Sequence, residues 1–126
     1  MKFARLVFRG AAVWGLLVLV PLFFMFDGSG VEPRQPFTYP QAYFGCLCVT
    51  LAWQLAFWII GSDPLRFRPL MIPAMIEKFG FVFALAVLCT LGRVGPREVL
   101  AALPDLVLGV LFVAAYVKTQ APTAAA

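Results

Sequence analysis

Two adjacent charged residues, Glu77 and Lys78, fall inside an apolar stretch of this 126-residue chain. A carboxylate in the middle of a hydrocarbon layer costs roughly 2.5–3.5 kcal/mol on insertion scales, so such a group is expected to have a partner and a purpose. Two interpretations are open. Glu77 either handles a proton or a cation, or lies near a helix N-terminus, where the helix dipole favours its charge and Arg66 or Arg68 pairs with it. In the second interpretation Lys78 extends to the lipid headgroups.

Other polar residues share faces of the predicted helices. Spacings of three and four residues return to the same side of a helix, and they produce one polar stripe on the second helix and one on the fourth. The stripes are Tyr43, Cys46, Thr50 and Gln54, and Asp105, Gly109, Phe112 and Tyr116. Small residues beside polar ones let helices approach closely, so we expect both stripes, and the face formed by Glu77, Gly80 and Ala84, to point into a bundle.

These faces define a candidate polar site within the spans. Its members are Glu77, Gln54, Asp105, Thr50, Tyr43 and Tyr116, with Asp63, Arg66, Arg68 and Lys78 as candidate charge partners. At 1.5 Å per residue, Gln54 is roughly 10 Å and Glu77 roughly 6 Å from the same end, so they can meet directly or through water. Asp105 is counted from the opposite end, and we expect it to lie too far from Glu77 for a carboxylate pair.

Asp105 has two interpretations of its own. It follows Pro104, so it either caps a helix that begins there or is a buried functional acid. Gln54 is typical of a residue that joins helices. Asp63 and Pro64 together predict a helix start or a tight turn.

The amino-acid composition of the chain indicates the environment in which these residues are held. Hydrophobic residues make up 63% of the chain and charged residues 13%, against about 45–50% and about 25% in soluble domains. A chain this short cannot enclose so many apolar side chains, so a lipid bilayer is the expected solvent. The net charge of +4 does not indicate nucleic acid, because the basic residues flank apolar stretches.

We predict an all-α integral membrane protein with four transmembrane helices packed as one bundle. The predicted helices cover about 6–26, 41–61, 73–92 and 98–117, with 70–72 at the membrane surface, a connector at 27–40 and a disordered tail at 119–126. The first stretch is interpreted as an uncleaved span, and a cleaved signal peptide is the alternative. A three-span chain, with the third stretch lying on the surface, is also open.

Basic residues predict the orientation. Seven fall on the side of the N-terminus, and three on the other side. The seven are Lys2, Arg5, Arg9, Arg66, Arg68, Lys78 and Lys118, and the three are Arg34, Arg93 and Arg97. Cytoplasmic loops carry the excess of Lys and Arg, so we expect both termini in the cytoplasm.

Catalytic and metal-binding patterns are not visible in the sequence. It contains no histidine, and its three cysteines, Cys46, Cys48 and Cys89, fall inside predicted spans. Two helical residues two apart point about 200° away from each other, so Cys46 and Cys48 are expected to be buried thiols and not a metal site or disulfide. No nucleophile–base pair or phosphate-binding loop is present, so we expect no enzyme and no cofactor.

Several segments between 43 and 116 resemble the BphX-like proteins, small bacterial four-helix membrane proteins. The segments are Ala52-Trp53-Gln54, the run from Asp63 to Met71, Pro73-Ala74, Glu77-Lys78 and the run from Asp105 to Tyr116. The four-span architecture is similar to that of the DoxX-like group. This resemblance implies a bacterial inner-membrane bundle, and it implies no enzymatic mechanism.

Three functions are compatible with these features. The first is a structural or accessory bundle that self-associates or supports a partner membrane protein, because small-residue faces often pack against another chain. The second is a small transporter or permeation subunit that uses an intramembrane carboxylate. The third is an accessory subunit of a quinone-linked or aromatic-compound oxidoreductase, which follows from the DoxX-like resemblance.

Overall fold

A computed structural model describes residues 1–24 and 40–120, and these contain helices and no strand. The helices are α1 (Lys2–Phe24), α2 (Pro40–Ser62), α3 (Met71–Thr90), α4 (Pro96–Ala101) and α5 (Leu103–Lys118), with one 3-10 turn, Arg68–Leu70, before α3. Four stretches of the described chain are helical, long and apolar enough to cross a membrane, namely Lys2–Phe24, Gln41–Ser62, Arg68–Thr90 and Pro96–Lys118. The all-α prediction is confirmed. The predicted connector, apart from Pro40, and residues 121–126 of the predicted tail lie outside the described residues.

The turn before α3 begins with Asp63. Its backbone oxygen accepts a hydrogen bond from Phe67 N (3.0 Å), and its Oδ1 accepts one from Arg66 N (3.2 Å). The predicted tight turn is therefore confirmed. Helical structure resumes at once, so α3 begins at Met71, before the predicted Pro73, and the Met71 side chain is fully buried among the helices.

Pro104 explains why the fourth span is divided into two helices. Proline has no N–H, and its ring opposes the carbonyl of the residue four positions earlier, which here is Leu100. The chain therefore turns at Ala102, and Leu106 N donates to Ala102 O (3.1 Å) at the start of α5. No side-chain hydrogen bond caps α5, so Asp105 lies in its first turn without acting as the cap.

Packing is tightest at the end of the bundle that contains the described termini. Here α1 lies between α2 and α5, and α5 also packs on α3. Three buried aromatic rings form the centre of this core, with centroid distances of 4.3 Å for Phe8–Phe112, 5.0 Å for Phe57–Phe112 and 6.2 Å for Phe8–Phe57. The Lys118 ammonium lies 4.3 Å from the Phe3 ring, which places the start of α1 beside the end of α5.

Candidate functional site

Lys78 joins two carboxylates near the middle of two candidate spans. Its side chain is buried, and Nζ donates to Asp105 Oδ1 (2.8 Å) and lies 3.3 Å from Glu77 Oε2. The prediction that Lys78 extends to the membrane surface was wrong, because Lys78 shares the buried face of α3 with Met71 and Ala74. The expected separation of Glu77 from Asp105 was also wrong, since both contact one ammonium group.

The depth of each residue explains this meeting. Glu77 lies nine residues after the start of the span Arg68–Thr90, and Asp105 lies nine residues after the start of the span Pro96–Lys118. Nine residues of helix rise about 14 Å, which is close to the middle of a 30 Å hydrocarbon layer. The two spans are antiparallel neighbours, so residues near both midpoints come together.

Gln54 is the second buried polar residue of this region. It is 2% exposed, and its Nε2 donates to Thr50 O (3.0 Å), while Thr50 Oγ1 donates to Cys46 O (2.7 Å). Gln54 Oε1 is buried without a hydrogen-bond partner and packs toward Gly15 of α1. The hydrogen bond of Gln54 thus lies within α2, and its unbonded acceptor faces Gly15 of α1.

A cavity of about 460 Å³ connects these residues. Its polar lining consists of Thr50, Gln54, Glu77, Lys78 and Asp105, and the apolar lining includes Trp14, Leu108 and Phe81. Four of the six predicted members of the polar site therefore line one space with Lys78. Lys78 itself was predicted only as a charge partner, although its spacing from Met71 and Ala74 could have placed it on the buried face.

Tyr116 and the candidate arginine partners lie elsewhere. The Arg68 guanidinium stacks 3.9 Å from the Tyr116 ring centroid, and Arg68 Nε donates to Tyr116 O (3.4 Å). The Arg66 guanidinium lies 5.4 Å from the Phe67 ring. In the described residues these arginines do not pair with Glu77, because Lys78 is adjacent and already buried beside it.

Tyr43 also lies away from the charged cluster. Its hydroxyl donates to Leu22 O (2.9 Å), a carbonyl in the last turn of α1, and so ties α2 to α1.

Two further expectations were wrong. Gly80 and Ala84 are exposed, and nothing lies within 4 Å of a Cβ built on Gly80, because the buried face of α3 is the one that carries Lys78. Cys46 and Cys48 are exposed at the bundle surface instead of buried. Among the described residues, no group of three Cys, Asp or Glu side chains could hold a metal ion.

Replacement of Gly15 by alanine tests the contact between α1 and Gln54. A Cβ at Gly15 would overlap the end of the Gln54 side chain, with Nε2 only 2.9 Å away, whereas a Cβ at Gly10 would meet nothing within 4 Å. Alanine favours a helix over glycine by roughly 0.5–1 kcal/mol, so Gly10→Ala should be stabilising. We expect Gly15→Ala to be less stable than Gly10→Ala by roughly 1–2 kcal/mol, because Gln54 must give up its position.

The free energy of unfolding of both variants is measured in mixed detergent micelles. The two variants carry the same glycine-to-alanine change on the same helix, so they differ in what the added Cβ contacts. Equal stabilisation of the two proteins would show that Gln54 moves aside without cost, and the prediction would be wrong.

Comparisons with family models, curated proteins and solved structures found no match to this chain. The resemblance to BphX-like proteins stays a prediction. The fold and the cavity define a class: an all-helical chain with four helices long and apolar enough to cross a membrane, and a charged cavity among them.

Proposed function

We propose that this protein is a multi-pass protein of a bacterial inner membrane that binds a small polar solute halfway across the bilayer, as a small transporter or permeation subunit. The observation that carries the proposal is the cavity of about 460 Å³ with Thr50, Gln54, Glu77, Lys78 and Asp105 in its wall. Ligand cavities of about 300–1,000 Å³ with a few convergent polar groups are typical of small-molecule sites.

The cost of the charges supports a functional role. Each charge at the centre of a bilayer costs roughly 2.5–3.5 kcal/mol on insertion scales, and such residues mark substrate paths. An ion pair that only joined α3 to α5 would need one acid and one base. This cavity contains a second acid, Glu77, whose buried Oε2 lies 3.3 Å from the same ammonium without a hydrogen bond, so one base faces two acids. A purely structural pair does not account for that residue.

The distribution of basic residues supports cytoplasmic termini. With Lys78 assigned to the cavity, six basic residues remain at the end that contains the described termini, against Arg93 and Arg97 at the other end of the described chain. Basic residues are enriched on the cytoplasmic side, so the core of three phenylalanines would lie toward the cytoplasm.

Access of water to the cavity can be measured with cysteine labelling. After Cys46, Cys48 and Cys89 are replaced by alanine, Leu108→Cys places a thiol in the cavity wall, and Val107→Cys places one on the exposed outer face of the same helix. The thiolate is the nucleophile that attacks the reagent and displaces its sulfinate, and it does not form in hydrocarbon. A charged methanethiosulfonate should therefore label position 108 at least about tenfold faster than position 107.

The matched pair makes the result unambiguous. Val107 is 56% exposed in the bundle, and Leu108 is less exposed than that. Side-chain exposure alone therefore predicts faster labelling at position 107, which is the opposite order. Equal rates, or faster labelling at position 107, would contradict a hydrated solute cavity.

The accessory-bundle hypothesis is favoured by one observation. The outer half of α3 exposes Gly80 and Ala84, and small residues allow close approach of a second helix. A native mass in detergent equal to two or more chains, reduced by Gly80→Leu, would support self-association.

The oxidoreductase-subunit hypothesis stays a prediction, for which co-purification of a redox protein or a quinone is the test.

A further inference from the structure

The charges of the cavity do not balance. Among the described residues that line it, Glu77 and Asp105 each carry one formal negative charge, and Lys78 carries the one positive charge. The sum is one negative charge, held near the midpoint of two spans. In a bilayer an uncompensated charge is unfavourable, so the cavity is complementary to a monovalent cation.

Two buried oxygens of the residues that line the cavity accept no hydrogen bond. They are Gln54 Oε1, and Glu77 Oε2, which lies 3.3 Å from Lys78 Nζ as an ion-pair partner. The amide orientation of Gln54 follows from its bond to Thr50 O, because only the nitrogen can donate to a carbonyl. A buried acceptor without a donor costs free energy, so the missing group is a hydrogen-bond donor.

The size and apolar wall of the cavity indicate an organic cation. A volume of about 460 Å³ is far larger than a bare ion or a proton requires, and it is in the range of organic ligands. Trp14 and Phe81 line the same space, and aromatic faces attract ammonium groups. The Lys78 ammonium already lies 5.4 Å from the Phe57 ring, so a cation is tolerated beside aromatic rings in this core.

We propose that the cavity binds a small organic ammonium ion, whose N–H groups donate to the Glu77 carboxylate while its apolar body lies against Trp14 and Phe81. This inference rests on the proposed function, because it specifies the chemical class of the solute. Lys78 contacts both carboxylates but can neutralise only one of them. Glu77, at 3.3 Å against 2.8 Å for Asp105, is the more weakly held acid and is the counter-ion for the ligand.

Three probes of matched shape test the charge selectivity without any mutation. Benzylammonium, benzyl alcohol and benzoate are titrated calorimetrically into the protein in maltoside micelles, with empty micelles as the blank. Benzylammonium should bind at least about tenfold more tightly than benzyl alcohol, since hydrogen bonds to charged groups are stronger than neutral ones. Benzoate should give no saturable heat.

Two isosteric variants assign the binding to the cavity. Glu77→Gln removes the counter-ion and should weaken benzylammonium binding about ten- to a hundredfold. Asp63→Asn, the same change of acid to amide in the exposed turn, should leave the affinity within about twofold, because surface charges in water contribute little. Size-exclusion chromatography reports whether either variant is folded.

The outcomes separate the two proposals. If benzyl alcohol or benzoate binds as tightly as benzylammonium and protects Leu108→Cys from labelling, the cation selectivity is overturned and the solute cavity stands. Equal loss of benzylammonium affinity in Asp63→Asn and Glu77→Gln would also overturn the ammonium site. If none of the probes binds, the ammonium proposal fails, and slow labelling of Leu108→Cys would then remove the solute cavity as well.

Discussion

Lys78→Met should destabilise the folded bundle more than any other single charge removal in the described chain. Methionine preserves the length of the side chain but leaves Glu77 and Asp105 without the ammonium that contacts both. Breaking a buried ion pair from one side costs roughly 3–5 kcal/mol, because the remaining charge is buried without compensation. Unfolding in mixed micelles, followed by circular dichroism, gives the loss directly.

Two comparison variants identify the cause. Lys118→Met removes an exposed lysine at the end of α5 and should cost at most about 1 kcal/mol, the value of its exposed contact with the Phe3 ring. The triple variant Lys78→Met with Glu77→Gln and Asp105→Asn removes all three charges and should recover most of the loss. If Lys78→Met is as stable as Lys118→Met, the ion pairs do not hold α3 to α5.

Hydropathy alone was enough to place the four helical stretches, because each is a run of apolar residues of about the length that crosses a bilayer. It was less informative about their ends. Pro73 was interpreted as the first helical residue of the third stretch, yet proline is tolerated throughout a first turn, and α3 begins at Met71. An error of a few residues at a helix end changes the inferred depth of every residue on that helix.

The composition of the cavity was predicted in part. The stripe on α2 correctly brought Thr50 and Gln54 to one side, since a spacing of four keeps residues on one face. The meeting of Lys78 with Asp105 was missed, because helix depth was counted from ends that proved incorrect. A lysine beside an acid in an apolar run also looks like a residue that reaches the surface, and only the packing of α3 on α5 distinguishes the two cases.

The face of α3 could not be chosen from residue size. Gly80 and Ala84 are small and follow Glu77 at helical spacing, which favoured that face for the interior. The structure instead buries Met71, Ala74 and Lys78. In a membrane, large apolar residues are equally stable against lipid and against protein, so hydrophobicity does not determine which face is covered.

Gly61→Leu should prevent α1 and α2 from packing where Gly61 contacts the backbone of α1. A Cβ on the buried Gly61 would lie 2.8 Å from Arg9 Cγ, 3.2 Å from Arg9 N and 3.3 Å from Arg5 O. Two of these atoms belong to the backbone of α1 and cannot move without shifting the helix. Overpacking by a few methylenes costs roughly 1–3 kcal/mol where side chains can adjust, so a leucine against backbone should cost at least about 3 kcal/mol.

Gly45→Leu is the matched control on the same helix. Gly45 is exposed, and a Cβ there would meet nothing within 4 Å, so its leucine would extend into lipid and gain helix propensity of roughly 1 kcal/mol. Unfolding in mixed micelles should therefore separate the two variants by roughly 4 kcal/mol in opposite directions. Similar stability of both would mean that α1 and α2 do not cross at Gly61. The cavity between them, which depends on Gln54 facing Gly15 across the same pair of helices, would then lose its wall.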